Sequence, residues 1–379
     1  MNIAIVGCGF VADYYMTTLP NHPELKLVGV HDRDSGAAKR FAAFHGARIF
    51  DTLDALLADP SVDLVLNLTN PSSHYAVSLA CLEAGRHVYS EKPLAMEIGE
   101  AEHLVTLARE KGLQVASAPS SVLGEAAQTT RRAIEDGTVG EVRLAYAEME
   151  DSMVFRENYR SWRSLSGAPW PAEDEFAVGC TLEHAGYYLT WLCEFFGPVE
   201  EMTAFSAKLF PDKGTSQTAA EIANDFSVAC LRFRSGAVAR LTCGLAAPSD
   251  RSLHIVGTKG VLSVTDGWNA RSPIYLRDPA GHWRPRAGIL GKVLRRLERG
   301  RPLKHWFGRK LPVPRSGATV PDTSSRMDFM RGPAQMAEAI RASARPPLAD
   351  AFALHVTELS IVAQSAERYP MPYRPRSTF

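Results

Sequence analysis

Residues 3–12 leave few folds open. The run Ile3-Ala4-Ile5-Val6 has no polar alternation and reads as a short strand buried on both faces. It ends directly in Gly7-Cys8-Gly9-Phe10-Val11-Ala12, and a helix-like stretch follows to about Leu19. In such a turn the first glycine permits the tight bend and the second lets a pyrophosphate approach the backbone. The alanine lets the helix pack close to the strand, and the helix N-terminus offers free N–H groups to the anion. The next strand, Lys26–His31, closes on Asp32, 23 residues beyond Gly9. A carboxylate there accepts hydrogen bonds from ribose hydroxyls and repels a 2′-phosphate. Gly7, Gly9, Phe10, Val11, Asp32 and Arg33 are therefore expected to hold a dinucleotide. NAD is favoured, and Arg33 beside the acid keeps NADP as the alternative.

Strands and helices go on alternating through the first third of the chain. Asp63–Leu68, Arg86–Tyr89 and Leu113–Ala116 read as buried strands, with helices over Ser35–His45, Ser72–Ala84 and Ala101–Lys111 between them. This spacing predicts a doubly wound parallel sheet. After Gly140 the pattern changes to longer alternating strands, Val142–Met149, Val199–Leu209, Asp225–Arg234, Ala237–Ala246 and Leu253–Val264, as in an open, mainly antiparallel sheet with one face on helices. The expected fold class is α/β followed by α+β. A Rossmann dinucleotide-binding domain takes residues 1–120, and a substrate and oligomerisation domain takes 121–379. The last helix, about 349–368, is expected to pack back toward the first domain.

Of the 379 residues 45% are hydrophobic and 22% charged, the profile of an ordinary globular protein. No apolar run approaches the roughly 20 residues of a membrane-spanning helix. Met1-Asn2 runs straight into the first strand, leaving no room for a cleavable leader, and the six cysteines stand far apart without metal-ligand spacing. These features lead us to expect a cytoplasmic protein with free thiols and no metal. The net charge is zero, which argues against bulk nucleic-acid binding. Yet His282 to Arg315 holds eleven Lys/Arg against the single acid Glu298, so this stretch carries +10 and the remainder −10. Ile289, Leu290, Val293, Leu294 and Leu297 recur there at helical spacing beside Arg295, Arg296 and Arg299. Three readings stay open for this basic insertion: a clamp on a phosphorylated or nucleotide-linked substrate, an oligomer contact, or contact with an anionic membrane surface.

Several motifs occur in one order: Gly7-x-Gly9-x-x-Ala12, then Thr69-Asn70-Pro71-x-x-His74, then Ala84-Gly85-Arg86-His87-Val88-Tyr89-x-Glu91-Lys92-Pro93. Together they resemble the glucose–fructose oxidoreductase / inositol dehydrogenase (Gfo/Idh/MocA) family. Looser matches continue through Gly137-x-x-Gly140, Gly257-Thr258-Lys259-Gly260, and Leu354-His355-Val356-x-Glu358. The resemblance implies hydride transfer between a nicotinamide cofactor and a secondary hydroxyl of a sugar, sugar derivative or cyclitol. It adds Thr69, Asn70, Pro71, His74, Glu91 and Lys92 to the cofactor site. It also implies a homodimer or homotetramer formed through the second sheet.

The chemistry needs a group that takes the hydroxyl proton as the hydride leaves. Lys92, at the C-terminal end of a parallel strand, suits this if burial and a cationic nicotinamide ring lower its pKa from about 10.4 toward neutrality. A solvated loop lysine is the bland reading. The family's second signature ends Asp-x-Gly-x-His on a helix, and this chain has Glu183-His184-Ala185-Gly186-Tyr187-Tyr188. Registering on Gly186 puts His184 in place of the Asp and Tyr188 in place of the His, with Tyr187 as packing. His184 and Tyr188 are thus candidate catalytic groups, or else core residues. Tyr159, Trp162 and Arg163, in a segment dense in arginines and aromatics, are candidates for the substrate pocket. Two alternatives use the same fold: a redox-neutral glycosidase or epimerase holding its cofactor tightly, and a non-catalytic NAD(P)-binding sensor.

Overall fold

The computed structural model describes residues 1–277 and 308–379. Residues 282–307 of the basic insertion, with the clamp, oligomer and membrane readings that depend on them, lie outside the described residues.

The first sheet contains β1 (Asn2–Val6), β2 (Lys26–His31), β3 (Leu64–Asn67), β4 (His87–Ser90) and β5 (Val115–Ser117), in the order β2-β1-β3-β4-β5. All neighbours pair in parallel. Helices α1 (Ala12–Thr18), α2 (Ser35–His45), α3 (Leu53–Ala58), α4 (Pro71–Glu83) and α5 (Ile98–Glu110) make the crossovers. Burial on both faces explains the unbroken apolar strands: Ile3, Ala4, Ile5, Leu64, Val65 and Leu66 are all fully buried. Gly7 cannot be replaced. Its φ is +99°, and a Cβ there would stand 2.5 Å from the Leu68 carbonyl oxygen.

Helix α6 (Glu125–Glu135) leads into an eight-stranded sheet. Its strands are β6 (Val142–Glu150), β7 (Val199–Ala207), β8 (Phe226–Phe233), β9 (Val238–Gly244), β10 (Leu253–Gly257), β11 (Val261–Val264), β12 (Ile274–Arg277) and β13 (Arg309–Lys310). They lie in the order β13-β12-β11-β10-β6-β9-β8-β7. Every pairing is antiparallel except β6 with β9. Alternate residues such as Ala145, Ala147, Leu231 and Leu241 are buried beneath the helices. Among the described residues nothing covers the opposite face at Phe205, 60% exposed, or Val238, 39% exposed.

Two further helices follow α7 (Ala172–Val178) and α8 (Cys180–Phe196): α9 (Arg331–Arg341) and α10 (Ala351–Gln364). Helix α10 packs on both α8 and α5, and Thr357 accepts a hydrogen bond from the Leu94 N–H at 3.3 Å. At its end the Gln364 side-chain oxygen accepts from the N–H groups of Thr181 and Leu182, at 2.9 and 3.2 Å. Those are orphan donors of the first turn of α8, so Gln364 fixes where α8 begins. All six cysteines are free thiols. Among the described residues no helix is long and apolar enough to cross a membrane, and no group of acidic, His or Cys side chains is arranged to hold a metal ion.

Candidate active site

A cleft of about 1200 Å³ runs along the C-terminal edge of the parallel sheet and under the second sheet's helices. Parallel α/β sheets bind ligands at this edge. One half is walled by Gly7, Gly9, Phe10, Val11, Asp32, Arg33, Thr69, Asn70 and Pro71. Nothing lies within 4 Å of the place a Cβ on Gly9 would take, and α1 opens without a side-chain cap. The Arg40 Nε, on the same wall, is buried with no partner among the described residues. Open space over a glycine, an uncapped helix start and an unpaired guanidinium together fit the diphosphate of a dinucleotide. Arg40 has no motif around it, and sequence reasoning missed it. Asp32 accepts from the Cys8 N–H at 2.7 Å and the Asp34 N–H at 2.8 Å, which holds its carboxylate at the end of β2.

Two of the expected cofactor residues, His74 and Glu91, line the cleft and also brace its wall. The His74 ring faces the carbonyl oxygens of Pro93 (2.6 Å) and Thr69 (3.0 Å) and is fully buried, so neither ring nitrogen is free for a ligand. The ring ties the segment of Thr69 to that of Pro93 at the edge of the cleft. Glu91 is only 7% exposed; it accepts from the Tyr15 hydroxyl at 2.8 Å and from the Lys92 N–H at 3.0 Å. It thereby aims the backbone that carries Lys92.

The other half of the cleft is built on α8. Cys180, Glu183, His184 and Tyr187 line it, while Tyr188 does not. At 3.6 residues per turn, residues 183 and 187 share a face, and residue 188 stands another 100° around. The Tyr188 hydroxyl donates to the Arg251 carbonyl at 2.5 Å, inside the core. The catalytic role expected for Tyr188 is corrected on this geometry, as is the packing role expected for Tyr187. The four-residue spacing of Asp-x-Gly-x-His is met by Glu183 and Tyr187, with Ala185 in the glycine's place. Registering on Gly186 shifted the reading by one residue.

Glu183 forms an ion pair with the Lys92 ammonium, and both side chains are largely buried. Burial works to lower the lysine's pKa, but Glu183 first, then Tyr187, Glu175 and Glu91, push it above its ordinary value. Of the two causes expected to lower it, burial acts here and is outweighed by Glu183, so these residues hold Lys92 as an ammonium. Burial also pushes the Tyr187 phenol upward, so it stays protonated as a hydrogen-bond donor. His184 is lowered to about 3 by burial, Lys92 and Arg251, which leaves it neutral. Its Nδ1 has no partner among the described residues, and its ring meets Trp268 edge-on at 5.2 Å.

Of the three substrate candidates, Trp162 and Arg163 line the cleft. Tyr159 does not. It is 4% exposed, packs against Trp170 and Phe176, and gives its hydroxyl to the Lys213 carbonyl at 3.2 Å. That role is corrected to core packing. The loop carrying Trp162 and Arg163 is tied to the first domain. Asp13 of α1, fully buried, accepts from the Ser166 N–H (3.1 Å) and hydroxyl (2.8 Å) and faces the His45 ring at 2.5 Å. The loop thus roofs the cleft. Asp151, Glu175 and Trp268 complete the walls, and no short motif announced any of them.

A parallel sheet with a phosphate-accommodating turn, opening onto a buried lysine–carboxylate pair, defines a dinucleotide-dependent oxidoreductase. Residues 1–118 match the oxidoreductase family with NAD-binding Rossmann fold and residues 127–263 the GFO/IDH/MocA C-terminal domain; the chain belongs to the Gfo/Idh/MocA family. It is 24% identical to trans-1,2-dihydrobenzene-1,2-diol dehydrogenase of Mus musculus over 267 residues, 70% of this chain and 74% of that one. Its fold is similar to that of UDP-N-acetylglucosamine 3-dehydrogenase from Acidithiobacillus ferrooxidans, with TM-score 0.70, 19% identity and 97% of each chain covered. It is also similar to the WlbA dehydrogenase from Bordetella pertussis, solved with NADH and UDP-GlcNAcA, with TM-score 0.70, 19% identity and 99% and 98% covered. The chain is an NAD(P)-dependent oxidoreductase.

Proposed function

We propose that the protein interconverts a secondary hydroxyl and the corresponding ketone on a ring polyol, a sugar, sugar derivative or cyclitol, and that Lys92 handles the proton at the reacting oxygen. The observation that carries this reading is the Lys92–Glu183 ion pair, held at the junction of the two halves of the cleft. Nicotinamide, when bound, supplies or takes the hydride. The protein's residues do the rest. In reduction the Lys92 ammonium donates its proton to the carbonyl oxygen; in oxidation the amine accepts it back. Tyr187, protonated on the same wall, donates a hydrogen bond to the same oxygen. Neutral His184 can bond a neighbouring ring hydroxyl, and Trp268, Phe176 and Trp162 offer flat apolar faces to the ring. The relatives' names, which include a dihydrodiol and a nucleotide sugar, support a ring hydroxyl as the reacting group.

Asp32 favours NAD over NADP. The uncovered face of the eight-stranded sheet favours a homodimer or homotetramer formed through that face. A second reading follows from the roof over the cleft. A cofactor enclosed beneath the loop tied by Asp13 and Ser166 leaves slowly, and that suits a redox-neutral glycosidase or epimerase.

The test is the near-ultraviolet absorbance of reduced nicotinamide, followed with NAD and NADP against free sugars, inositols, uronic acids and nucleotide sugars. A signal in wild type that is lost in Lys92→Met supports a net dehydrogenase. Silence from protein that purifies with bound cofactor transfers the assignment to the redox-neutral reading. A signal of equal size in both proteins removes Lys92 from the chemistry.

A further inference from the structure

The substrate wall of the cleft continues past Lys92 through an unbroken line of contacts. Lys92 pairs with Glu183, and His184, the next residue on α8, meets the Trp268 ring edge-on at 5.2 Å. The Arg251 guanidinium lies over the Trp268 ring, 4.5 Å from its centroid. Its Nη1 donates to Asp151 Oδ1 at 2.8 Å, and its Nε and Nη2 donate to the two Asp266 oxygens at 3.2 and 3.4 Å. Lys92, His184, Trp268 and Asp151 all line the cleft, whereas Arg251 and Asp266 do not.

We propose that Asp151 is a specificity-determining residue: its second oxygen, Oδ2, accepts a hydrogen bond from a hydroxyl of the substrate ring and so decides which ring carbon faces Lys92. Arg251 is its positioning residue. The inference rests on the reading that Lys92 handles the proton at the reacting oxygen of a ring polyol. Oδ2 has no hydrogen-bond partner among the described residues and is not buried, so it is open to the cleft.

The surrounding chain fixes where that oxygen stands. The Asp151 N–H donates to the Gly244 carbonyl at 3.0 Å, which ties the residue to the end of β9. Ser152 follows at φ +61°, a conformation that residues other than glycine seldom adopt, and it turns the chain away directly after Asp151. Arg251 holds Oδ1 and leaves Oδ2 as the acceptor. Burial raises the Asp151 carboxyl to about 6 against the pull of Arg251, so at neutral pH it is an anion. Arg251 is also shared with Asp266, and one guanidinium between two carboxylates leaves the group a net charge of −1. A hydroxyl donates to such an acceptor, whereas a carboxylate or phosphate placed there is repelled. The part of the substrate that meets Asp151 is therefore an uncharged polyol ring, not a uronate or a ring phosphate.

Deleting one hydroxyl at a time from the substrate tests the assignment. Hydride transfer with NAD present is followed for myo-inositol, glucose and galactose and for the monodeoxy forms of each, in wild type and in Asp151→Ala. In wild type, loss of one particular hydroxyl should lower kcat/KM by about 10- to 10²-fold. In Asp151→Ala the full polyol should fall by a similar factor, and the same deletion should then cost less than about threefold, with cofactor affinity changed less than about threefold. The alanine variant should also oxidise several ring positions where wild type oxidises one, as NMR of the products would show. Asp151→Asn keeps the size and the Arg251 bond, and it carries the same test should the alanine variant fail to fold; its sensitivity to the deletion should drop by about threefold or more. Arg251→Met should blur the same ring position, with no further loss on adding Asp151→Ala. An Asp151 variant that lowers the rates of all these rings by one common factor, and stays as sensitive to the deletion as wild type, has lost only a structural ion pair and overturns the proposal. Transfer that depends on Lys92 yet shows this pattern removes Asp151 alone. No transfer from any of these rings by wild type removes the ring-polyol reading, and the role of Asp151 with it.

Discussion

At Lys92, burial and pairing pull in opposite directions, and the balance decides which proton form the substrate meets. Burial in this cleft lowers the lysine's pKa, but Glu183 pushes it back above its ordinary value, with help from Tyr187, Glu175 and Glu91. The sequence named Lys92 through Glu91-Lys92-Pro93, yet it held no sign of the pairing, because the partner lies 91 residues away on another domain's helix. Glu175 bears the burden of this arrangement. Its pKa rises from 4.5 to about 8 in the folded protein, so the folded state keeps a proton that the unfolded chain has released. Stability from this group is full below about 4.5 and is lost as pH rises toward 8. Glu175→Gln should therefore melt higher than wild type at pH 8.5 and nearly with it at pH 4.5, as calorimetry on the cofactor-free protein would show; parallel curves at all pH would contradict this.

At the scale of elements, α8 decides the site by which of its faces meets the cleft. The helix was legible in the sequence. Its phase was not, because Gly186 offered a tempting register one residue off. Only Gln364 at the helix start and Arg251 at Tyr188 reveal the true rotation. The two tyrosines now separate cleanly. Tyr187→Phe should lower kcat by about tenfold or more with little change in melting temperature, whereas Tyr188→Phe should retain kcat and lose about 1 kcal/mol of stability from its buried hydrogen bond. The opposite assignment of effects would return Tyr188 to the site. The roofing loop acts as an element too. Ser166→Ala removes both the hydroxyl's bond to Asp13 and part of the tie between domains. Release of NADH, followed by its fluorescence, should speed up about tenfold, and an unchanged release rate would show that the loop does not hold the cofactor.

Over the whole molecule, the two sheet types were legible because buried parallel strands and half-buried antiparallel strands have different hydrophobic periods. Ile3–Val6 shows the first and Val142–Glu150 the second. The stretch Leu253–Val264 alternates as one strand would, and it folds as β10 and β11 around the Gly257-Thr258-Lys259-Gly260 turn, where the resemblance implies a hairpin; the tight turn interrupts the alternation by only two residues. The uncovered face of the second sheet carries its own expectation. Val238→Glu, at an exposed position on that face, should shift the protein to smaller species in sedimentation velocity while the melting temperature stays within a few degrees. An unchanged sedimentation profile would place the subunit contact elsewhere. Domain arrangement and chemistry meet in one place: the lysine comes from the first domain and its carboxylate from the second, so the pair exists only when the two are docked. The most direct test is single-turnover hydride transfer from bound reduced nicotinamide to a ring ketone, comparing wild type with Lys92→Met. The account predicts a rate about 10²–10⁴-fold lower in the variant with cofactor affinity within about threefold; an equal rate in the two proteins would contradict it.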